Sequence, residues 1–251
     1  MKIVGIIAAG GTGERLGAAG GKQLLSIHGR PLAAWAADAL ADAELIQELI
    51  IVCNPTRTQE YAEQLSQAIT TDKPLTFVAG GKTRADSVYA GLIAAEGADI
   101  VAIHDGARPL LDPKDADATI RRLLEDDSAD GVVLGTPAVD TIKLVGNSCI
   151  IETPDRDAYW QAQTPQVFRR PQLLRVYEQA KQDGYSGTDD ASYYERRGGT
   201  VIMCPGSRTN LKITTPEDIV LATALLAART DPRTEAQTDP HTEDRSPGND
   251  S

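Results

Sequence analysis

A glycine loop with two cations beside it is the first place in this chain where chemistry could occur. The segment Ala8-Ala9-Gly10-Gly11-Thr12-Gly13-Glu14-Arg15-Leu16-Gly17 leaves an apolar, strand-like stretch, and Lys22 follows seven residues after Arg15 in Gly21-Lys22-Gln23. Glycines let a backbone turn tightly and bring its N–H groups close to phosphate oxygens. A guanidinium and an ammonium beside such a nest suit a triphosphate. Two solvated surface cations would have the same spacing, so the pair alone leaves both readings open. A dinucleotide pocket needs a GxGxxG turn opening a helix, and an acid after the second strand. Leu16 stands where the third glycine belongs, and Cys53-Asn54 ends the second strand without that acid. The loop does not run into Gly-Lys-Ser or Gly-Lys-Thr, so it is not a Walker nest.

Other polar residues sit where ligand contacts would be useful. Asp105 follows the apolar run Ile100–His104 and falls at the carboxyl end of a strand, where open α/β sheets bind ligands. An exposed turn acid would occupy the same position. Arg108 and Arg84 offer forked donors that suit phosphate oxygens, although Arg84 would also serve as a surface cation at a helix start. Ser87 lies on that helix and would otherwise face solvent. Lys212 lies in the short strand-like run Leu211–Ile213, where alternation gives it the face opposite its neighbours. A phosphate there would relieve an otherwise costly partly buried ammonium.

These residues need a scaffold that gathers them at one edge. Ile3–Ala8, Leu49–Cys53, Leu75–Val78, Ile100–His104 and Val132–Leu134 read as strands buried on both faces. Pro31–Ala43, Thr58–Ile69, Arg84–Ala95 and Pro113–Leu124 read as the helices between them, with Pro31 and Pro113 at first helical positions. Strict alternation points to a doubly wound, mostly parallel, Rossmann-like sheet. The pattern breaks at Thr141–Val145 and Ser148–Glu152, a hairpin around Gly146-Asn147. An isolated hairpin is marginal in water, so this one is expected to pack on something else, with a second subunit as one candidate. Gln172–Gln182, Asp190–Arg196 and Pro216–Ala228 read as helices, and Thr200–Met203 and Leu211–Ile213 as strands. The folded domain is expected to span residues 1–228. The tail, 229–251, has no apolar residue larger than Ala236 and is expected to be disordered.

Composition excludes several classes. A net charge of −11 argues against a protein that holds nucleic acid through its phosphates. No apolar run approaches the roughly 20 residues of a membrane span, and the N-terminus has no signal-peptide layout. Cys53, Cys149 and Cys204 are widely spaced and read as free thiols, which favours a cytoplasmic setting. With His28, His104 and His241 scattered, no zinc site is expected.

Four further segments follow the loop and its Lys22-Gln23 in a fixed order. They are Gly80-Gly81-Lys82-Thr83-Arg84-Ala85-Asp86-Ser87-Val88; His104-Asp105-Gly106-Ala107-Arg108-Pro109; Asp140-Thr141-Ile142-Lys143 with Asp155-Arg156 and Gln163-Thr164-Pro165-Gln166; and Asn210-Leu211-Lys212-Ile213-Thr214 with Pro216-Glu217-Asp218. With the loop they resemble the 2-C-methyl-D-erythritol 4-phosphate cytidylyltransferases from Ile3 to about Ala228. The resemblance implies a nucleotidyltransferase-type sheet, a homodimer formed through an arm at about 138–156, and transfer of CMP from CTP to methylerythritol phosphate with release of pyrophosphate. It implies that Arg15, Lys22 and Lys212 are catalytic. It implies that Ala9, Gly10, Gly11, Gly13, Gly81, Arg84, Ser87 and Asp105 bind CTP, with Ser87 near the cytosine. Asp105, Arg108, Thr141, Arg156, Thr164 and Lys212 would bind the acceptor, with Arg156 and Thr164 completing the partner's site. Mg²⁺ is the implied cofactor, with Asp105 as candidate ligand and substrate phosphates and water supplying most of its shell.

The chain departs from the family pattern in three places. Gly21, after Gly20, replaces the usual proline before the lysine; Ala8-Ala9-Gly10-Gly11 replaces Pro-Ala-Ala-Gly; and Lys82 replaces an acid common in the cytosine segment. If that contact uses backbone atoms, Lys82 changes nothing; if it uses the side chain, base preference changes. A ribitol-phosphate cytidylyltransferase shares the fold and loop and is the rival within the class. A non-catalytic nucleotide-binding module is the rival outside it, and should lack the Arg15–Lys22 pair.

Overall fold

The computed structural model describes residues 1–11 and 21–230. Gly13, Arg15 and the expected tail beyond Thr230 lie outside the described residues.

The chain opens with β1 (Ile3–Ala8), a small ribbon β2 (Ser26–Ile27) and β3 (Arg30–Pro31), and α1 (Leu32–Ala41). Alternation follows: β4 (Glu48–Cys53), α2 (Thr58–Ala68), β5 (Leu75–Ala79), α3 (Arg84–Ala94), β6 (Ile100–Asp105), α4 (Pro113–Glu125) and β7 (Gly131–Pro137). Next come the hairpin β8 (Leu144–Gly146) and β9 (Cys149–Glu152), then β10 (Trp160–Arg169), α5 (Arg170–Gln182), α6 (Ser192–Glu195), β11 (Val201–Pro205) and α7 (Pro216–Thr230). Seven strands form one sheet in the order β11-β7-β10-β6-β1-β4-β5. Every neighbour pair is parallel except those of β10, which runs antiparallel to both β6 and β7.

The continuous apolar strands follow from burial on both faces. Side chains alternate across a strand, so Ile7, Leu49, Ile51 and Val132 pack into one core layer with α1 and α4. Their neighbours Ile6, Ile50, Val52 and Val133 pack into the other with α3 and α5. A third cluster, of Ile27, Leu32, Leu110, Ile213 and Ala222, docks α7 against the ribbon and the loop after β6. Helix starts carry local signals. Thr83 and Asp86 form a reciprocal capping box on α3, and Asp112 caps α4 with Pro113 in its first turn.

Three expected elements differ. Pro31 belongs to β3 and precedes α1 as its N-cap, so the helix begins one residue later. Leu211–Ile213 joins no ladder; Ile213 N–H donates to the Ala107 carbonyl at 2.9 Å. The helix expected over Asp190–Arg196 contracts to Ser192–Glu195, because Asp190 is engaged elsewhere. The largest omission is β10, the longest strand of the sheet. Its sequence WQAQTPQVFR is polar where it crosses the buried sheet, and its register shifts between Ala162 and Gln166. The glutamines are tolerated because their amides are paired: Gln163 donates to the Ser207 carbonyl, and Gln166 accepts from the N–H groups of Asp190 and Ala191.

The hairpin stands as its own two-stranded sheet, with Asn147 and Ser148 at positive φ in the turn. Leu144, Val145, Ile150 and Ile151 are all exposed. No helix among the described residues is long and apolar enough to cross a membrane. Cys53, Cys149 and Cys204 are unpaired.

Candidate active site

The carboxyl ends of the parallel strands open into a cleft of about 690 Å³, inside the range of small-molecule sites. Gly10 and Gly11 enter it from the end of β1, Asn54 and Thr56 from β4, Gly81 after β5, and Asp105 from the end of β6. Lys22, Lys82, Arg84 and Lys212 line the same cleft, and Ser87 lies on its floor. The alternation of strand and helix brings these residues together from across the sequence.

Asp105 is the electrostatic centre. Its carboxylate is nearly buried and meets Lys212 Nζ at 2.7 Å, Arg84 Nε at 3.3 Å and Arg108 Nε at 3.9 Å. Burial alone would push this carboxyl up; the cations of Arg84, Lys212 and Arg108 overcome it and hold the group well below the usual carboxylate range. Asp105 therefore stays ionised near neutral pH despite its burial. Among the described residues no cluster of three or more His, Cys, Asp or Glu side chains could hold a metal.

Behind Asp105 lies an uncharged relay. The Asp105 N–H donates to Thr164 Oγ1 at 3.1 Å, and Thr164 Oγ1 lies 2.9 Å from His104 Nδ1. His104 Nε2 lies 3.0 Å from the Arg108 carbonyl. A carbonyl can only accept, so Nε2 carries the proton and Nδ1 accepts from the threonine hydroxyl. Burial pushes the fully buried imidazole down to about 4, against the Arg108 carbonyl, which favours the charged form. Arg108 donates to the carbonyls of Asn210, at 2.7 Å, and Ala162, at 3.3 Å. These contacts tie the turn after β6 to β10 and to the segment carrying Lys212.

The residues expected on the nucleotide side are held by short backbone contacts. Ala9 is buried and its N–H donates to the Val52 carbonyl. Ser87 Oγ accepts from the Gly81 N–H at 3.1 Å and donates to the Thr83 carbonyl at 2.9 Å, so it shapes the turn after β5. A Cβ on Gly10 would lie 3.3 Å from Ser87 Oγ, so the absence of a side chain lets the two turns approach. Lys22 opens a short 3-10 turn, Lys22–Leu24, and its ammonium donates to the Ile213 carbonyl at 2.8 Å. That bond places it beside the Lys212 segment. Gly21 has φ 83, and a Cβ there would meet Tyr61 Oη at 2.2 Å. Proline, fixed near φ −65°, cannot follow this path, so the glycine before Lys22 has its own physical basis.

The structure thus gathers Gly10, Gly11, Lys22, Gly81, Arg84, Ser87, Asp105 and Lys212, with Ala9, Arg108 and Thr164 packed behind them. Thr164 is buried against Asp105 of its own chain rather than standing on the arm. Thr141 and Arg156 are exposed near the hairpin and do not line the cleft; Arg156 donates to the Val139 carbonyl at 2.8 Å. Asp190, His104 and Asn54 were not legible as site residues. Asp190 binds Arg84 across 106 positions, and no spacing in the sequence signals that pairing.

A family model described as IspD, 2-C-methyl-D-erythritol 4-phosphate cytidylyltransferase, matches residues 3–228. The chain belongs to that family. It is accordingly a nucleotidyltransferase of the methylerythritol phosphate route to isoprenoid precursors, and uses CTP to form 4-diphosphocytidyl-2-C-methyl-D-erythritol. A 2-C-methyl-D-erythritol 4-phosphate cytidylyltransferase from Syntrophotalea carbinolica is 41% identical over 228 residues, covering 90% of this chain and 97% of its own. One from Synechococcus sp. strain CC9902 is 42% identical over 229 residues, covering 90% and 99%. The crystal structure of 4-diphosphocytidyl-2C-methyl-D-erythritol synthase from Anaerococcus prevotii superposes with TM-score 0.78 at 28% identity, covering 90% of this chain and 96% of that one.

Two outcomes are expected of this cytidylyltransferase. A His104 that stays neutral in the fold leaves stability intact above the unfolded value near 6.5 and lost progressively as pH falls toward about 4. The stability held by ionised Asp105 goes only below about 3.8. Tm measured by calorimetry across this window should therefore fall in the wild type and fall less in His104→Asn. Gly21→Pro should lower kcat roughly tenfold or more by misplacing Lys22; an unchanged kcat would show that Lys22 does not depend on this turn.

Proposed function

We propose that the cleft carries out this transfer by direct in-line displacement. An oxygen of the methylerythritol phosphate attacks the α-phosphorus of CTP. A new P–O bond forms as the bond to pyrophosphate breaks, and pyrophosphate leaves with the electron pair. The nucleophile is already anionic, so no general base is needed. Catalysis then consists of positioning and charge neutralisation.

One observation carries this reading: cations from separate parts of the chain converge at the strand ends around an ionised Asp105. Lys22, with Arg15 from the loop, would stabilise the α-phosphate oxygens as charge builds there. Gly10, Gly11 and Gly81 would give the nucleotide close backbone approach, and Ser87 would hold the turn that meets the cytosine. Lys212, fixed by Asp105, would meet the acceptor phosphate.

Mg²⁺ commonly takes one or two carboxylates and fills its shell with water and substrate phosphates. Asp105 is the carboxylate at the cleft, and both its oxygens already meet cations, so the ion would be held mainly by the substrate phosphates and water, with Asp105 joining only where Lys212 or Arg84 turns to the phosphates. Bound there, the ion would offset charge on the triphosphate.

The exposed apolar hairpin supports an arm that packs on a second copy of the chain, with Arg156 supplying acceptor contacts across that interface. The unpaired cysteines support a reducing, cytoplasmic setting.

Pyrophosphate release tests the assignment. Turnover is expected with CTP and methylerythritol phosphate, not with ATP, GTP or UTP, and not with ribitol phosphate. Lys22→Ala should lower kcat by roughly 10²-fold; near-normal turnover would reject its role. The pair Ile150→Asp and Ile151→Asp should shift the mass in light scattering to that of a monomer. It should also weaken acceptor use as Arg156→Ala does, with CTP affinity retained. An unchanged mass would exclude the arm as the interface.

A further inference from the structure

We propose that Asp190 is a positioning residue for this reaction, acting through Arg84 to keep Lys212 on Asp105. The inference deepens the proposed function and rests on its placing of Lys212 at the reacting phosphates.

Asp190 is fully buried, and a buried carboxylate is tolerated only when its oxygens are paired. Arg84 Nη1 donates to one oxygen at 3.0 Å and Nη2 to the other at 2.7 Å. The Tyr177 hydroxyl donates to the first oxygen at 2.5 Å. The Asp190 backbone is pinned as well, because its N–H donates to Gln166 Oε1. The carboxylate therefore has little freedom, and it holds the guanidinium by both terminal nitrogens.

That grip decides what Arg84 can offer the cleft. With both Nη groups on Asp190, the donor that reaches Asp105 is Nε, at 3.3 Å on Oδ1. The second oxygen, Oδ2, is left to Lys212 at 2.7 Å. Charges thus alternate along a chain: Asp190, Arg84, Asp105, Lys212. An arginine released from Asp190 would present its whole fork. Bidentate pairing is the preferred guanidinium–carboxylate geometry. The freed fork would cover both oxygens of Asp105, and Lys212 would lose its anchor. A buried ion pair with a purely structural role would carry no such link to turnover.

The test is a double-mutant cycle on the full chain, reading kcat and KM for CTP together with Tm. Asp190→Asn keeps the shape and removes the charge. It should lower kcat roughly tenfold while KM for CTP does not rise. In an Arg84→Gln background the same substitution should cause no further fall in kcat. Equal fractional losses of kcat in both backgrounds would overturn the proposal, as would a loss confined to Tm. If Asp190→Asn alone does not fold by circular dichroism, the double variant, from which both charges leave together, is compared with Arg84→Gln. Equal kcat supports the coupling and a further loss overturns it. Failure of the wild type to consume CTP would instead reject the underlying function, so the two failures are distinguishable.

Discussion

A single ionised carboxylate surrounded by more positive charge than it can neutralise is what the rest of this structure depends on. Asp105 ends a strand that is buried on both sides, and it would be unstable there by itself. Lys212 and Arg84 reach it from distant parts of the chain, with Arg108 behind. In the proposed reaction the substrates would bring the missing negative charge, and a triphosphate would complete the arrangement. The overall acidity of the chain is no obstacle, since a pocket responds to the few charges within a Debye length, about 8 Å at physiological salt.

The scaffold serves that arrangement in a direct way. Parallel strands with helices on both faces align their carboxyl ends, so each successive turn delivers a residue to the same edge. The third hydrophobic cluster, beneath α7, has a different task. Leu110 and Ile213 pack together in it, so the turn after Asp105 and the segment carrying Lys212 are held in one apolar mass. The 2.7 Å contact between the two charged groups is therefore fixed by nonpolar packing beside it.

Much of this was legible in the sequence, for physical reasons that can be named. Strands such as Leu49–Cys53 announce themselves because burial on both faces demands apolar side chains throughout. The glycine turns, Lys22, Asp105 and Lys212 could be placed because the family's segments retain their order along the chain. What was missed is polar and nonlocal. β10 hides because its buried glutamines are paired by backbone groups that a one-dimensional pattern cannot supply. Asp190 hides because its partner lies on α3, 106 positions away in the chain. Leu211–Ile213 looked like a strand because its alternation is real, but Ile213 N–H pairs with the Ala107 carbonyl in the turn after β6, outside the sheet's ladders.

β10 also carries a mechanical meaning. Its exposed beginning, at Trp160, emerges where the hairpin excursion returns to the sheet beside Pro137. Its buried middle bears Thr164 and Gln166, which touch Asp105 and the residue that grips Arg84. One continuous strand therefore links the outermost apolar ribbon of the molecule to the deepest polar contacts of the cleft. The register shift between Ala162 and Gln166 interrupts the ladder between those ends, so the strand joins them through its backbone rather than through one unbroken set of sheet bonds.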